Sequence, residues 1–441
     1  MTNDQRDRSG LGLLIGIHII VCCVSLVLVA YCRIPTDLKP DKFHIYFDPS
    51  RWYVAAATVA AFAVVALLFV RARFSLGYFA GFYFFTMVLG YLWLNCFTDL
   101  NYDHRSAALS AAASAIVFLL PALFIASPLR QIVTLTASSF DRLLTTILVF
   151  GIATIAIGAA YNFRLVGLSE MYEYRAKLDA PVIVNYLVTM FSTALLPFAL
   201  AGFVAIKAHR RTIAVLALLV LLYPITLNKT ALFAPVWLVG LLALSRIVEA
   251  RTAVILSLLA PVLAGLALII LFGSHAAFYF STVNFRMIAI PSVALDVYND
   301  FFSRHELTYF CQISFLKPLM RCPYQEQLAV VLKREYDLGN FNASLFATEG
   351  IASIGTWFAP VAALAGGLVI ALGNRLSAGL PPAFILISGA MLPQTLLNVP
   401  LTTTLLTLGA ALLFLLWYIT PRGIFERDGA FTAAMNASHP E

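Results

Sequence analysis

Long apolar runs separated by short polar connections make up most of this chain. Crossing the hydrocarbon of a bilayer takes about 20 apolar residues in a helix, whereas strands of a membrane barrel are shorter and alternate in polarity. The pattern therefore predicts an all-α, polytopic membrane protein with about twelve spans. The twelve predicted spans are 11–31, 53–70, 74–97, 107–127, 143–161, 182–206, 213–227, 230–245, 252–273, 355–373, 381–397 and 401–420.

One interval departs from this pattern, because residues 274–354 carry many charged side chains. We interpret it as a large extracytoplasmic loop, embedded in a single membrane domain that covers residues 1–441. No internal repeat and no low-complexity segment is visible along the chain. The loop is the part of the sequence where we expect the chemistry.

Composition and charge agree with a membrane location. The chain is 61% hydrophobic and only 12% charged, with a mean hydropathy of +0.88, which is far from the usual soluble domain. Lys and Arg concentrate in every second connection, and such loops stay cytoplasmic. This alternation predicts that both termini are cytoplasmic, and it accounts for the net charge of +7 without a nucleic-acid partner.

Lys229 interrupts an otherwise apolar stretch. The runs on either side of Asn228 and Lys229 are short, and one continuous span would place Arg246 and Arg251 on the wrong side. We therefore predict a hairpin with Lys229 just below the outer surface. A lysine there faces a cavity or an anion, or it extends along the helix end to reach water.

A second outer segment, residues 162–181, offers two arginines. A short interfacial helix is predicted over 169–178, with alternating acidic and basic side chains. Arg164 and Arg175 are candidates for binding phosphate. The alternative is that Arg175 only pairs with nearby acids in water.

The long loop contains the other candidates. Arg286 follows an apolar stretch and could bind a diphosphate through its planar donors, or anchor a helix at lipid phosphates. His305 is a candidate proton acceptor, although a lone histidine in a loop is often just exposed. Asp296 lies four residues before Asp300 on one helical face, as a second candidate base or as part of a solvated stripe.

Glu349 and two cysteines complete the set. Glu349 stands alone ahead of the tenth predicted span and is a third candidate base, facing a cavity. Cys311 and Cys322 could form a disulfide on an oxidising side. No motif for zinc, nucleotide or P-loop binding occurs, so the sequence implies neither a metal nor a cofactor.

Four stretches together carry a resemblance to a known family: FRLVGLSEMYEYRA, the short spans around NKTALFAPVW, RMIAIPSVALDVYNDFFS, and NFNASLFATEGIASIGTWFAPV. In this order they resemble the bacterial O-antigen or oligosaccharide repeat unit polymerases of the Wzy type. The likeness covers much of the second half of the chain. It implies a GT-C-like glycosyltransferase of the inner membrane that joins repeat units carried on undecaprenyl diphosphate at the periplasmic face.

On this reading Arg164, Arg175, Lys229 and Arg286 neutralise the diphosphate of the donor. One of His305, Asp296 and Glu349 then takes the proton from the acceptor sugar, without a metal. The partners implied are the lipid-linked oligosaccharide, membrane lipid and a chain-length regulator. Two alternatives stay open: an O-antigen ligase, and a lipid-linked oligosaccharide flippase, although a flippase usually has short loops and two repeated halves.

Overall fold

A computed structural model of the chain describes residues 3–31, 40–167, 170–175, 180–313, 315–338 and 348–425. Throughout these ranges the regular structure is helical and no strand occurs. Ten helices of the described part are long and apolar enough to cross a membrane. The predicted class, an all-α polytopic membrane protein, is confirmed.

The helices are numbered here in chain order, and two segments of π-helix, Phe191–Leu195 and Ser281–Ala289, lie between them. The helices are α1 Asn3–Tyr31, α2 Trp52–Ala63, α3 Ala66–Arg71, α4 Leu76–Leu94, α5 His104–Phe124, α6 Ala137–Tyr161, α7 Met171–Arg175, α8 Val182–Met190, α9 Leu196–Ala205, α10 His209–Thr226, α11 Lys229–Ile247, α12 Ala250–Phe272, α13 Ala277–Phe280, α14 Ile290–Arg304, α15 Leu328–Tyr336, α16 Thr348–Ile354, α17 Ala359–Ser377, α18 Pro382–Ser388, α19 Leu392–Leu396, α20 Leu401–Leu406 and α21 Ala410–Ile419.

The packing divides the chain into two compact units, where the sequence analysis predicted a single domain. Unit 1 consists of Met1–Ile125, Arg251–Leu372 and Pro393–Leu401. Unit 2 consists of Ala126–Ala250, Gly373–Leu392 and Thr402–Glu441. Each unit is described separately below.

Helix α4 is the centre of unit 1. It is apolar on all sides and rich in aromatic residues, as expected of a helix that is surrounded by others, and every one of its residues is buried. Helices α1, α2, α5 and α14 pack against it. On α1 the buried His18 lies with Nε2 at 2.8 Å from Thr86 Oγ1, so that one polar contact joins α1 to α4 inside the unit.

Helices α4 and α12 run in the same direction. Arg251, at the start of α12, donates to the carbonyl of Ala72, just before α4, and Ser257 lies 3.2 Å from the Tyr83 hydroxyl. Residues further along each helix are therefore at the same end of unit 1. That end carries the connection after α4 and the turn at Gly273, which has a positive φ of 56°.

After the turn at Gly273 the chain re-enters unit 1 as one helical stretch that runs from α13 through the π-helical segment 281–289 into α14. Asn284 donates to the Val262 carbonyl over 2.9 Å, so this stretch packs against α12. Ser292 then contacts the Met87 carbonyl at 3.2 Å, and Asp300 accepts from the backbone of Asn101, which follows α4. The π-helical segment 281–289 joins α13 to α14 without a break, and segments of this kind often bend a helix. The first part of the predicted loop 274–354 is thus a buried, re-entrant helix.

Unit 2 contains the predicted hairpin around Lys229. Helices α10 and α11 pack against each other, and Leu227 between them adopts a left-handed conformation with φ 46°. The side chain of Asn228 caps α11 by accepting from the Thr230 N–H at 3.1 Å. This geometry confirms the turn that was predicted from charge alternation.

The last two predicted spans are interrupted. Residues 381–397 form α18 and α19 instead of one helix, and residues 401–420 form α20 and α21. Gly409, with φ +80°, separates the second pair, because this conformation is compatible with glycine and ends a right-handed helix. Pro393, which has no N–H to bond back into the preceding turn, lies at the start of α19.

Candidate functional site

The two aspartates of α14 are buried in unit 1. Asp296 is 2% exposed and Asp300 is 1% exposed, and the whole of 291–302 is buried with them. The alternative of a solvated stripe is therefore wrong for this pair. The sequence predicted correctly that both carboxyl groups lie on one helical face, but not that this face packs against α4 and the connection that follows it.

Asp296 lies in a cluster of polar side chains that sequence analysis missed. The Tyr102 hydroxyl contacts the Asp296 carboxyl group directly. The same hydroxyl is 2.8 Å from Asn95 Oδ1 and 3.3 Å from the Tyr91 hydroxyl. Asn299 extends the cluster, with its Nδ2 3.4 Å from the Tyr91 hydroxyl. The group lies at the end of α4, where α14 emerges from its re-entrant course.

Asp300 connects three segments of the chain. Its carboxylate accepts from the backbone N–H of Asn101 at 3.0 Å, from the Tyr336 hydroxyl at 2.5 Å and from the Arg304 guanidinium. These donors come from the connection after α4, from α15 and from α14 itself. Three donors, one of them a cation, stabilise an ionised carboxylate. Asp300 therefore joins α15 to α14 and to the connection after α4, all within unit 1.

His305 ends α14 with its imidazole exposed. Its Nδ1 lies 2.8 Å from the Phe301 carbonyl, and since a carbonyl only accepts, Nδ1 carries the proton. The ring stacks on Phe301 at 3.9 Å between centroids, and Tyr324 contacts the rings of Phe301 and Phe302. No described residue bonds to the remaining nitrogen, Nε2.

An apolar groove of about 400 Å³ begins at Leu307, two residues after this histidine. Two residues at its edge, Tyr309 and Phe310, have positive φ angles of 47° and 64°, which is costly for side chains of this size. The backbone is held there because the Thr308 N–H donates to the Ala352 carbonyl at 2.8 Å. The groove is lined by Leu307, Tyr309, Ile354, Phe358 and Val361.

A disulfide between Cys311 and Cys322 closes the segment after the groove. Both sulfurs were candidates in the sequence, and the pairing is confirmed. Gln312, inside the closed segment, donates to the Tyr324 carbonyl at 3.1 Å. Because Tyr324 in turn donates to the Glu306 carbonyl at 2.8 Å, the bridge helps to hold the surroundings of His305.

Arg286 lies in the π-helical part of the re-entrant segment and is half-buried. Within the described ranges its guanidinium makes no hydrogen bond or ion pair. The neighbouring Phe285 is buried against Phe43. A guanidinium in this position has lost part of its hydration and is suited to bind an anion.

Glu349 is half-buried at the start of α16. Its carboxylate accepts the backbone N–H of Leu401 at 3.2 Å. Burial raises the pKa of the Glu349 carboxyl above its ordinary value, and the bond from Leu401 offsets part of this rise. Residues 339–347 lie outside the described part, and so does NFNASLF, the beginning of the fourth stretch that carries the family resemblance.

Unit 2 holds the other predicted cations. The Arg164 guanidinium lies 5.4 Å from the centre of the Tyr174 ring, and its backbone N–H donates to the Pro224 carbonyl at 3.0 Å. Arg175 is exposed at the end of α7, and Lys229 is half-buried at the start of α11. The segment with Arg164 thus rests on the turn before Lys229. This contact is built on a small apolar cluster of Met171, Tyr223 and Leu227, with Val166, Tyr174 and Leu232 packed against it.

The seven predicted site residues therefore divide between the units. Asp296, His305, Arg286 and Glu349 belong to unit 1, and Arg164, Arg175 and Lys229 belong to unit 2. The predicted helix 169–178 is present as α7, and its two ends fall outside the described residues. Among the residues that the structure describes, no three His, Cys, Asp or Glu side chains come together as metal ligands.

No protein-family model, curated protein or solved structure matches this chain.

Proposed function

We propose that the chain polymerises oligosaccharide repeat units carried on undecaprenyl diphosphate. In this reaction the bond between the donor sugar C1 and the diphosphate oxygen breaks, and C1 forms a bond with a hydroxyl oxygen of the acceptor sugar. The hydroxyl proton goes to a base of the protein, and undecaprenyl diphosphate leaves. The product stays attached to the carrier of the acceptor. The reaction would take place at the periplasmic face of a bacterial inner membrane and uses no metal.

The observation that carries this proposal is the half-buried Arg286 in the re-entrant segment. A cation inside a membrane protein is costly unless an anion accompanies it. No described residue supplies that anion to Arg286, whereas a diphosphate would, through paired oxygens. As the donor bond breaks, negative charge grows on the diphosphate, and a fixed guanidinium stabilises the transition state more than the bound substrate.

The groove and His305 follow the end of α14, with His305 19 residues after Arg286, and they add separate features to the proposal. The groove is lined by apolar and aromatic side chains, which suit the isoprenoid chain of a lipid carrier. His305 is exposed and no described residue bonds to its Nε2, so it is the base that we favour among His305, Asp296 and Glu349. Two strained residues at the groove edge, Tyr309 and Phe310, agree with a functional position.

The cations of unit 2 have a supporting role in the proposal. Arg164, Arg175 and Lys229 would bind phosphate groups of lipid-linked substrate at the surface around the Met171 cluster. Arg164 is already oriented by its contact with Tyr174. We propose a chain-length regulator as a further protein partner.

The test is the gel profile of surface polysaccharide from a strain that lacks this chain. The proposal predicts loss of the ladder, with a single repeat unit still attached to the core, and return of the ladder on complementation. Core without any repeat, together with accumulated lipid-linked polymer, would instead identify a ligase.

The first variant to examine is Arg286→Ala. It should abolish long polymer while the protein still accumulates in the membrane, because the growing charge on the diphosphate is no longer stabilised. Loss of one such group costs roughly 10²-fold or more in rate. The matched control is Arg105→Ala, an exposed arginine at the start of α5, which should leave the ladder unchanged. A normal ladder from Arg286→Ala would remove the proposed role.

A transporter of lipid-linked oligosaccharide is the second candidate, and one observation favours it. Buried carboxyl groups in membrane segments often carry protons in transporters, and Asp296 is such a group. In that case the strain that lacks the chain would accumulate lipid-linked single units on the cytoplasmic face, with no repeat unit on the core.

A further inference from the structure

The hydroxyl of Tyr102 lies within hydrogen-bonding distance of two oxygen acceptors, but it has only one proton to donate. It contacts the Asp296 carboxyl group and lies 2.8 Å from Asn95 Oδ1. A phenol has a single proton to donate. If Asp296 were ionised, one of these two close oxygen pairs would have no hydrogen between them, inside a buried cluster where such a defect is costly.

The orientation of the Asn95 amide is fixed by its surroundings. Its Nδ2 donates to the His104 carbonyl at 3.1 Å, and its Oδ1 lies 3.0 Å from His104 Nδ1. Exchanging the two amide atoms would set the amide oxygen against the His104 carbonyl. Oδ1 is therefore the atom that faces Tyr102, and an amide oxygen can only accept.

One assignment of protons satisfies every contact. Asp296 is protonated and donates to the Tyr102 oxygen, and Tyr102 donates to Asn95 Oδ1. Tyr91 can then donate to Tyr102 as well, which fills both lone pairs of that oxygen. His104 donates to the second lone pair of Asn95 Oδ1, which leaves its Nε2 as an acceptor.

Asp300, one turn further along α14, has the opposite environment. It receives the Arg304 guanidinium, the Tyr336 hydroxyl and the Asn101 N–H, which are all donors, so its ionised form is satisfied. A pair of nearby carboxyl groups whose surroundings favour opposite protonation states is a common arrangement for acid–base work.

We propose that Asp296 is a proton-binding site, held as the neutral acid in the resting protein, and that Tyr102 carries protons between it and the surface of unit 1. Tyr102 is half-buried and belongs to the connection after α4, where its neighbours Asn101 and Asp103 are exposed. When a proton is released, the Asp296 proton moves to the Tyr102 oxygen while the phenolic proton passes to water at the surface of unit 1. The result is an Asp296 carboxylate and a neutral Tyr102.

Other titratable groups face Asp296 and bear on its release of a proton. Asp300 lies on α14, while Asp99 and Cys96 lie on the connection after α4. The carboxylate of Asp99 is 2.6 Å from His44 Nδ1. Tyr91 faces the site from α4. These are the titratable groups that face the Asp296 carboxyl group.

The proposal goes beyond the glycosyl transfer and also constrains it. A protonated carboxyl group cannot take the proton of an attacking hydroxyl. It follows that Asp296 is an acid in this protein and that the base must be sought elsewhere, with His305 as the first choice.

The test is infrared spectroscopy of the full-length protein in detergent, with no substrate present. At neutral pH the wild type should show the C=O stretching band of a protonated carboxyl group, and Asp296→Asn should lose it. The amide of that variant can donate to Tyr102 as the acid does, so the fold should persist. The matched control Asp300→Asn should keep the band.

Two further variants separate the outcomes. Glu349→Gln should also keep the Asp296 band, which excludes Glu349 as its source. Tyr102→Phe removes one hydrogen-bond partner without removing the carboxyl group, so the band should shift and not vanish. Absence of the band in wild type at neutral pH, or its survival in folded Asp296→Asn, would overturn the proposal. Neither result depends on glycosyl transfer. If the proton-binding proposal fails, the proposed function is still tested separately by the gel profile of surface polysaccharide.

Discussion

At the scale of single residues, buried polar groups account for the most specific contacts of unit 1. Asn284 in the π-helical segment donates to the hydroxyl of Ser25 at 3.0 Å and to the Val262 carbonyl at 2.9 Å. It fits there only because Gly265 on α12 has no side chain. A Cβ at position 265 would lie 1.8 Å from Asn284 Oδ1. The re-entrant course of the chain thus depends on one glycine.

Gly265→Ala should destabilise the protein, since Asn284 must move and lose its hydrogen bonds. Overpacking of this kind typically costs about 1–3 kcal/mol. The measurement is the thermal unfolding temperature of the purified protein in detergent. Gly240→Ala is the matched control, because a Cβ there meets nothing within 4 Å. Equal unfolding temperatures for the two variants would contradict the close packing described here.

Much of the site could not be read from the sequence for a simple physical reason. Asp296 and Asp300 were found because their spacing matches a helical turn. Tyr102 was missed, since 194 residues separate it from Asp296 and no local pattern links an aromatic residue in a short connection to a distant carboxyl group. For His305 the sequence left a proton acceptor and an exposed side chain as alternatives. The structure shows the side chain exposed, and its tautomer follows from the Phe301 carbonyl, which only the fold reveals.

At the scale of helices, the apolar pattern predicted where helices occur better than it predicted whether each helix is continuous. Long runs such as 76–94 became helices as expected, and the turn at Lys229 followed from the distribution of charges. The re-entrant helix and the breaks at Pro393 and Gly409 were not predicted. A hydropathy pattern shows how apolar a segment is. The path that the segment takes depends on which neighbours satisfy its backbone groups at membrane depth.

Helix α16 offers a test that depends on pH. Burial raises the pKa of Glu349 above its ordinary value of 4.5, so the folded state favours the protonated form. The stabilising contribution of this proton is fully present below a pH of about 4.5 and is lost as the pH rises through the raised pKa. Wild type should therefore lose more stability than Glu349→Gln between acidic and neutral pH.

The measurement for Glu349 is the unfolding temperature of both proteins across this pH range. Glu306→Gln, which changes an exposed glutamate of the same unit, serves as the control and should follow wild type. If the curves of wild type and Glu349→Gln run parallel, the carboxyl group is not buried as the structure has it.

At the scale of the whole molecule, the basic connections and the disulfide give independent indications of orientation. Basic residues in alternate connections predict which loops are cytoplasmic. The bridge between Cys311 and Cys322 belongs to an oxidising compartment. Both predict that residues 305–338 lie on the outer side, which is where the proposed substrates would be joined.

Thiol labelling can test this orientation. In cells that form disulfides normally, Cys311 and Cys322 should resist a membrane-impermeant maleimide, and they should react after mild reduction. A cysteine introduced at Ser139 or Ser245, near connections predicted to be cytoplasmic, should stay unlabelled in intact cells. Labelling of the introduced cysteines from outside would contradict the predicted orientation.

The most direct measurement of the central claim is a reaction with purified components. Full-length protein in lipid vesicles would be supplied with isolated undecaprenyl-diphosphate-linked repeat units and no added metal, and the products would be separated by length. We expect chains of several repeats, with one undecaprenyl diphosphate released for each new linkage, and little extension by Arg286→Ala. Folded wild-type protein that leaves only single repeat units, with no undecaprenyl diphosphate released, would contradict it.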